Sequence, residues 1–276
     1  MVATPVMVRI GNQSFGFQLQ MALKDLTESF RRIPLAWALA RHDIGARYRG
    51  SILGPFWITL SMGVLTLGIG VLYTRLFHME IHEFLPFVAI GIVVWTLISS
   101  TLNEGCETFT LAAAMLRQSS LPLLTFIWRT LFRSVIAFAH HVIIIVAVMI
   151  WAHWTKANYW LPFAGLALVL VNLTWVTVLT AIVAARFRDV PQIIGALTQF
   201  AMFMTPIFWR PDQLQHNHAV LIFNPFYYML DVIRSPLLGQ PVDPHSWVIL
   251  TVGAILGWSY AFVIFARVRR KIVHFL

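Results

Sequence analysis

The sequence has few charged residues for its length. Only 11% of its 276 residues are Asp, Glu, Lys or Arg, whereas 59% are hydrophobic. A soluble domain carries roughly 25% charged residues. A lipid bilayer, unlike water, accommodates apolar residues on the outer face of a helix bundle. The composition therefore excludes an ordinary soluble domain and indicates an integral membrane protein.

Several reactive groups are also scarce. Cys106 is the single cysteine, so no disulfide can form within the chain. None of the three lysines follows a glycine, which excludes a phosphate-binding loop of the G-x-x-x-x-G-K-[ST] type. The predicted membrane spans have no acidic residue at their centres, where ion-coupled carriers usually have one. These absences argue against an ATPase and disfavour an ion-coupled carrier.

Six apolar runs approach or exceed the roughly 20 residues that a helix needs to cross a bilayer. They cover residues 52–77, 85–102, 131–151, 160–184, 191–209 and 247–266. The mixed segment 103–129 predicts a pair of short surface helices, and the broken segment 210–244 predicts short re-entrant helices before the last span. The sequence thus predicts an all-α membrane protein with six transmembrane helices.

A shorter amphipathic segment precedes the spans. Residues 1–20 predict a flexible cytoplasmic extension, and residues 21–40 predict an interface helix in front of the six-span domain at 41–276. Apolar residues three and four positions apart form one helical stripe: Leu23, Leu26, Phe30, Ile33 and Trp37. Such a helix lies at the membrane surface or packs on a partner protein, and Pro34 is expected to bend it.

The basic residues indicate the orientation of the chain. With six spans both termini lie on one side, and that side then has sixteen of the twenty Lys and Arg residues. Because cytoplasmic loops are enriched in Lys and Arg, both termini are predicted to be cytoplasmic. The net charge of +9 is spread over the ends of the spans, which argues against a nucleic-acid-binding face.

Two kinds of side-chain pair are candidates for chemistry. The histidine pairs are His78 with His82 and His140 with His141. They lack further ligands nearby in sequence, so hydrogen bonding at the interface and between helices is favoured over a metal site. Glu104 and Glu107 could serve a membrane-embedded transferase, but a solvated helix face is the favoured interpretation.

Four motifs resemble those of type-2 ABC exporter permeases. Residues 47–57 match the family's R-Y-x-x-S-x-L-G-x-x-W at the start of the first span. R-D-V-P at 188–191 and T-P-I at 205–207 resemble the turn before the fifth span and the end of that span. N-P at 224–225 and R-S-P-L-L-G at 234–239 resemble the loop before the last span. Residues 116–122 match the family's coupling segment more loosely, because only Arg117-Gln118 stands for its usual basic pair.

The resemblance covers residues 39–276 and is strongest to permeases that export O-antigen and capsular polysaccharides, with teichoic acid exporters close behind. It implies a homodimer in the bacterial cytoplasmic (inner) membrane, with two separate ABC ATPase subunits that bind the ATP. It also implies a channel at the dimer interface for a polysaccharide, often lipid-linked. The chain itself is expected to hold no cofactor, metal or catalytic residue. A permease for a small lipid or drug, and a transferase, are the alternatives.

The resemblance also suggests roles for particular residues. Aromatic rings are expected to stack on sugars in the channel, or else to pack between helices or face lipid: Trp57, Tyr73, Phe77, Trp95, Phe203, Phe208 and Trp209. A basic segment is expected to bind the carrier pyrophosphate or to set orientation: Arg41, Arg47, Tyr48 and Arg49. Coupling to the ATPase is expected from Glu28, Arg31, Arg32, Leu116, Arg117, Gln118 and Pro122. The turn between the fourth and fifth spans is expected to be fixed by Arg188 and Asp189.

Overall fold

The computed structural model of the chain describes residues 14–155, 157–211 and 219–276. These ranges form α-helices and contain no β-strand. In chain order, α1 to α11 cover Phe15–Arg31, Ile33–Arg47, Phe56–Phe77, Ile81–Leu111, Ala113–Gln118, Leu123–Trp151, Leu161–Arg186, Val190–Met204, Ala219–Ile222, Pro225–Leu237 and Pro244–Phe275. Within the described ranges, five helices are long and apolar enough to cross a membrane, namely α3, α4, α6, α7 and α11. The predicted class, an all-α membrane protein, is confirmed.

α8 is the shorter apolar helix that stands for the predicted fifth span. It has 15 residues and ends at Met204. At 1.5 Å per residue it is about 22 Å long, less than the roughly 30 Å of a hydrocarbon core. Thr205 is extended because the ring of Pro206 disfavours a helical conformation for the residue before it. The chain therefore leaves the helix within the bundle.

Two predicted boundaries are wrong. The segment 103–129 is not a pair of surface helices, because it holds the end of α4, the six-residue α5 and the start of α6. α4 tolerates the polar residues in its last turns because Glu104 is paired with Arg133. α1 begins at Phe15, six residues before its predicted start, and the Ser14 hydroxyl accepts a hydrogen bond from the amide of Phe17. Residues 1–13 of the predicted extension lie outside the described residues.

α4 is the central helix of the bundle. In the most apolar 18-residue stretch of α4, 83% of the residues are buried, whereas in the corresponding stretch of α3 only 22% are buried. Two glycines let other segments approach its backbone: a β-carbon at Gly91 would lie 3.2 Å from the carbonyl oxygen of Ile207, and one at Gly105 would lie 3.1 Å from the Thr180 hydroxyl. Small residues of this kind favour close packing of helices in membranes. α3 and α8 pack against this core while leaving much of their own surface exposed.

The interface helix docks through a polar residue rather than through its apolar stripe. Asp25 on α1 is only 1% exposed, and its carboxylate accepts hydrogen bonds from the amides of Leu123 and Leu124, each at 3.2 Å. These are the first amides of α6, whose own N-cap residue, Pro122, provides no side-chain hydrogen bond. The same carboxylate accepts a hydrogen bond from Nε of Arg269 on α11 at 2.9 Å. One side chain thus joins α1, α6 and α11.

The apolar stripe of the interface helix lies on the outside. The helix breaks at Arg32, before Pro34, into α1 and α2, and Leu23, Phe30 and Trp37 stay about half exposed. Phe30 contacts the ring of Trp128, and Trp37 contacts the ring of Phe132 at the edge of α6. The exposed stripe next to a spanning helix suits a position in the membrane interface.

Replacement of Asp25 tests this docking. Asp25→Ala leaves two amides and the Arg269 guanidinium without their acceptor, so we expect a loss of about 2–4 kcal/mol in the free energy of unfolding. The measurement is thermal unfolding in detergent, together with limited proteolysis around Arg32. Glu28→Ala is the control, because its ion pair with Lys24 is exposed and contributes little. Equal melting of the two variants would contradict the role of Asp25.

Candidate functional site

The two ends of the bundle differ in character. The basic end is defined by α1, α2, α5 and the last turns of α11. The far end is defined by the start of α4, residues 152–155 and 157–160, and α10. At the basic end Asp43 of α2 receives two hydrogen bonds from Arg129, at 2.7 and 2.6 Å. Arg133 links Asp43, at 3.3 Å, to Glu104, at 3.1 Å. These ion pairs tie α2 to α4 and α6.

Charge neutralisation within this cluster fixes Asp43 in its ionised form. Burial raises the pKa of the Asp43 carboxyl, but hydrogen bonds and positive charge from Arg129 and Arg133 outweigh burial and lower the pKa below its usual value. Glu104 is likewise paired, to Arg133 and, at 3.7 Å, to Arg47. Glu107 is exposed and lines a different cavity from Glu104. The two glutamates therefore do not form one site, which disfavours the transferase alternative.

The predicted carrier-binding segment lies at the surface of the basic end. Arg41, Arg47 and Arg49 are exposed, and within the described ranges the side chains of Arg41 and Arg49 make no ion pair or hydrogen bond. Tyr48 and Arg47 line a cavity of about 190 Å³ that extends between α4 and α6 to His141. Gly50 and Gly54 have φ angles of 83° and 55°, which explains why glycine is required in this turn before α3. The arrangement presents cations beside a polar cleft.

The predicted coupling residues also gather at the basic end. Glu28, Arg31 and Arg32 lie where α1 meets α2, and Arg31 and Arg32 are exposed. In the second segment Leu116 and Pro122 are buried anchors, whereas Gln118 is exposed and Arg117 donates to the backbone carbonyl of Leu276. Asp25 links the two segments because it holds the amides that directly follow Pro122. The sequence analysis did not single out Asp25. Its spacing of three and four residues from the small residues Ala22 and Ser29 places it on one helix face with them, which could have indicated a buried acid.

The N-P and R-x-x-x-x-G motifs near the far end meet around the extended turn after α8. Asn224 caps α10 through the amide of Phe226 and donates to the Thr205 hydroxyl at 3.0 Å. Arg234 on α10 donates to the carbonyl of Pro206 at 2.5 Å. Gly239 ends the following turn with a φ angle of 70°. The N-P and R-x-x-x-x-G motifs thus both hold the T-P-I segment.

The predicted channel aromatics divide into exposed and buried groups. Trp57 on α3 and Phe203 on α8 are exposed, and the Trp209 indole is half buried and donates to the carbonyl of Phe203. Trp95 is 6% exposed and packs edge-on against Phe226. The rings of Tyr73 and the buried Phe208 lie 5.8 Å apart, and the side chain of Phe77 lies outside the described part of the chain. Packing between helices accounts for Trp95 and Phe208; a channel role for the whole set stays a prediction.

Two amides that the sequence analysis did not single out, Gln192 and Gln199, lie on one exposed stripe of α8, called the polar stripe below. Gln192, Ala196, Gln199 and Phe203 are four, three and four residues apart, so they share one face, and all four are exposed. The helix is fixed to α4 from its other side, where Asn103 donates to the Thr198 hydroxyl at 3.3 Å. An amide side chain exposed to hydrocarbon is costly. This stripe therefore favours contact with water or with a second polar surface rather than with lipid.

The predicted turn residues make no side-chain contacts that hold the turn, and the histidines belong to no cluster of metal ligands in the described ranges. Arg188 and Asp189 are exposed, and in the described ranges neither side chain forms a hydrogen bond or ion pair. The turn is held by its backbone, for example by the amide of Val190 and the carbonyl of Phe187. Among the described residues no group of three His, Cys, Asp or Glu side chains could hold a metal ion. A side-chain role for Arg188 and Asp189 in the turn has no support in these contacts.

Comparison with known proteins decides the family. Residues 34–238 match the family model described as ABC-2 type transporter. The chain belongs to the ABC-2 type transporter family. This ABC-2 chain is also 25% identical over 239 residues to the O-antigen export system permease protein RfbA of Myxococcus xanthus, covering 83% of this chain and 91% of that protein. The matched region begins in α2 and ends at the close of α10, so it includes the charge cluster and the T-P-I segment.

Thiol labelling tests the environment of the α8 stripe in this ABC-2 chain. Gln199→Cys is expected to react with a charged, water-soluble maleimide at least about ten times faster than Leu197→Cys, because thiolates form and react only where water reaches them. Both positions are exposed on α8, and the buried Cys106 is replaced by Ser in both proteins. Equal, slow labelling at both positions would show that the stripe faces lipid or a dry contact.

Proposed function

We propose that the chain is the membrane-spanning permease subunit of an ATP-driven exporter that moves a polysaccharide, of the O-antigen or capsule type, across the bacterial cytoplasmic (inner) membrane. Membership of the ABC-2 family supports a multi-pass permease that works with a separate ATPase subunit. The similarity to an O-antigen export permease over most of both chains supports the polysaccharide class. Teichoic acid, a small lipid or a drug is the alternative cargo.

The observation that carries the proposal is the polar stripe on the half-exposed helix α8. A second copy of the chain facing this stripe and the exposed side of α3 would enclose a conduit lined by Gln192, Gln199, Phe203 and Trp57. Amides offer hydrogen bonds to sugar hydroxyls, and aromatic rings stack on the apolar faces of sugars. Neither contact depends on the identity of one sugar, which suits a chain that slides. A homodimer is therefore part of the proposal.

The charged segments support the direction of transport. The basic end, with α1, α2 and α5, is proposed to face the cytoplasm, where the ATPase docks on residues around Arg31 and Gln118. Arg41, Arg47 and Arg49 are proposed to bind the pyrophosphate of a lipid carrier, because planar guanidinium groups donate two hydrogen bonds to phosphate oxygens. No cofactor is proposed for the chain itself, and ATP is proposed to bind to the partner.

Surface polysaccharide in cells tests the function. A strain that lacks this chain is expected to lose surface polysaccharide and to accumulate the polymer inside the membrane. Normal surface polymer in that strain would contradict the proposal, and loss of another lipid from the surface would favour the alternative cargo.

Two substitutions test the conduit and the carrier site in the same assay. Trp57→Ala and Arg47→Ala are each expected to lower surface polymer several-fold while the protein still inserts and reaches normal levels. Trp160→Ala and Arg267→Ala are the matched controls, because both side chains are exposed and neither belongs to α3 or α8. Equal losses in test and control variants would show that the effect is not specific to the path.

A further inference from the structure

The far end of each subunit contains a large cavity that lies apart from the exposed faces of α3 and α8. Its volume is about 720 Å³, within the range of roughly 300–1,000 Å³ that is typical of ligand sites. Its walls come from the start of α4, Trp154, the segment after α8, α10 and residues 238–244. Five separate parts of the chain thus converge on a space large enough for a ligand.

Arg234 is the central polar group of this cavity. The residue is only 5% exposed, yet it lines the space. Its guanidinium lies over the ring of Phe87, 4.1 Å from the centroid, and one N–H donates to Pro206. Burial lowers the pKa of Arg234 to about 10, so the group stays charged at neutral pH. Its other N–H donors have no acceptor among the described residues.

The neighbouring carboxylate, Asp231, makes no hydrogen bond or ion pair with Arg234 in the described ranges and is used mainly by other donors. Asp231 lies one turn away on α10 and also lines the cavity. Its oxygens accept hydrogen bonds from the hydroxyls of Ser235 at 2.5 Å and Ser246 at 2.6 Å, and from the amide of Asp243 at 3.3 Å. A buried guanidinium that is neither paired nor fully hydrogen-bonded is costly. The unpaired N–H groups of Arg234 can therefore donate hydrogen bonds to the oxygens of a ligand in the cavity.

The other wall residues match the surface of a sugar. Trp154 and Tyr227 provide flat rings, and the Nε1 atom of Trp154 is buried with no hydrogen-bond partner in the described ranges. Gln240 is an exposed amide at the rim. Sugars have apolar ring faces and hydroxyl-bearing edges, so rings and amide or guanidinium donors side by side suit them. Arg210 and Glu83, which form an ion pair at 3.7 Å, also line the cavity.

We propose that this cavity binds a short segment of glycan on the far side of each subunit, with Arg234 donating to sugar oxygens and Trp154 or Tyr227 stacking on a ring. The nature of the ligand rests on the proposed function, whereas the site itself rests on these contacts. Because Arg234 also holds Pro206, a bound glycan would act on the extended segment that carries Phe208 and Trp209. The cavity would thus contact the polymer as it leaves the conduit.

Binding of defined oligosaccharides to the purified full chain in lipid nanodiscs tests the site. The probes are trigalacturonate, maltotriose and inorganic phosphate, and calorimetry measures affinity. We expect saturable binding of at least one trisaccharide and a loss of at least about tenfold in affinity for Arg234→Gln, because the substitution removes charge-assisted hydrogen bonds to the sugar oxygens. Tyr227→Phe and Gln240→Ala are expected to weaken binding less, and these milder variants keep the test valid if Arg234→Gln does not fold.

The outcomes separate the site from the proposed function. Trp160→Ala is the control, since this exposed residue of the far end does not line the cavity, and it should bind like the unchanged chain. If no trisaccharide binds, or if only phosphate binds, the proposed glycan site is overturned. The proposed function in export would not be affected by that result. The two tests can also disagree. If trisaccharide binding depends on Arg234 but a strain without the chain keeps normal surface polysaccharide, the site is upheld and the proposed function is overturned.

Discussion

Buried charged side chains hold both ends of this bundle together. A bilayer offers no water to a buried charge, so its hydrogen bonds must come from other parts of the chain or from a ligand. At the basic end, Asp25 satisfies the first amides of α6 and the guanidinium of Arg269. At the far end, Arg234 holds the carbonyl of Pro206. The elements fixed in this way are those that are not full spans, namely the interface helix and the turn after α8.

The helical class and five long membrane-spanning helices could be predicted from the sequence, because the apolar runs are long and the composition leaves no alternative to lipid. The sixth predicted span corresponds to the 15-residue α8, which is too short to cross a bilayer. The ends of the helices were harder to predict from the sequence than the existence of the spans. α4 continues to Leu111 because Glu104 finds Arg133, a partner 29 residues away that hydropathy cannot show. The end of α8 at Met204 depends on Pro206, and its fixation depends on Asn224 and Arg234, which meet only in three dimensions.

The sequence could mark candidate segments but not the environment of each side chain. Arg41 and Arg49, before the first span, are exposed at the basic end, and their role in binding a carrier stays a prediction. Aromatic character alone could not separate Trp57, which is exposed, from Trp95, which packs in the core. Gln199 was overlooked because one amide scarcely changes the hydropathy of α8, although exposure makes it the more informative residue. The motifs that contain Asn224 and Arg234 likewise did not reveal the role of these side chains. That role follows from their shared contact with the T-P-I segment in the folded chain.

The central claim is that this chain, together with an ATPase, forms the path for a polymer. Its most direct measurement is transport in vesicles that contain the purified chain, its partner ATPase and a lipid-linked polysaccharide loaded on the side of the basic end. The account predicts that glycan reaches the other side only when both proteins and hydrolysable ATP are present. Transfer of small lipids with no movement of the polysaccharide, under the same conditions, would contradict it.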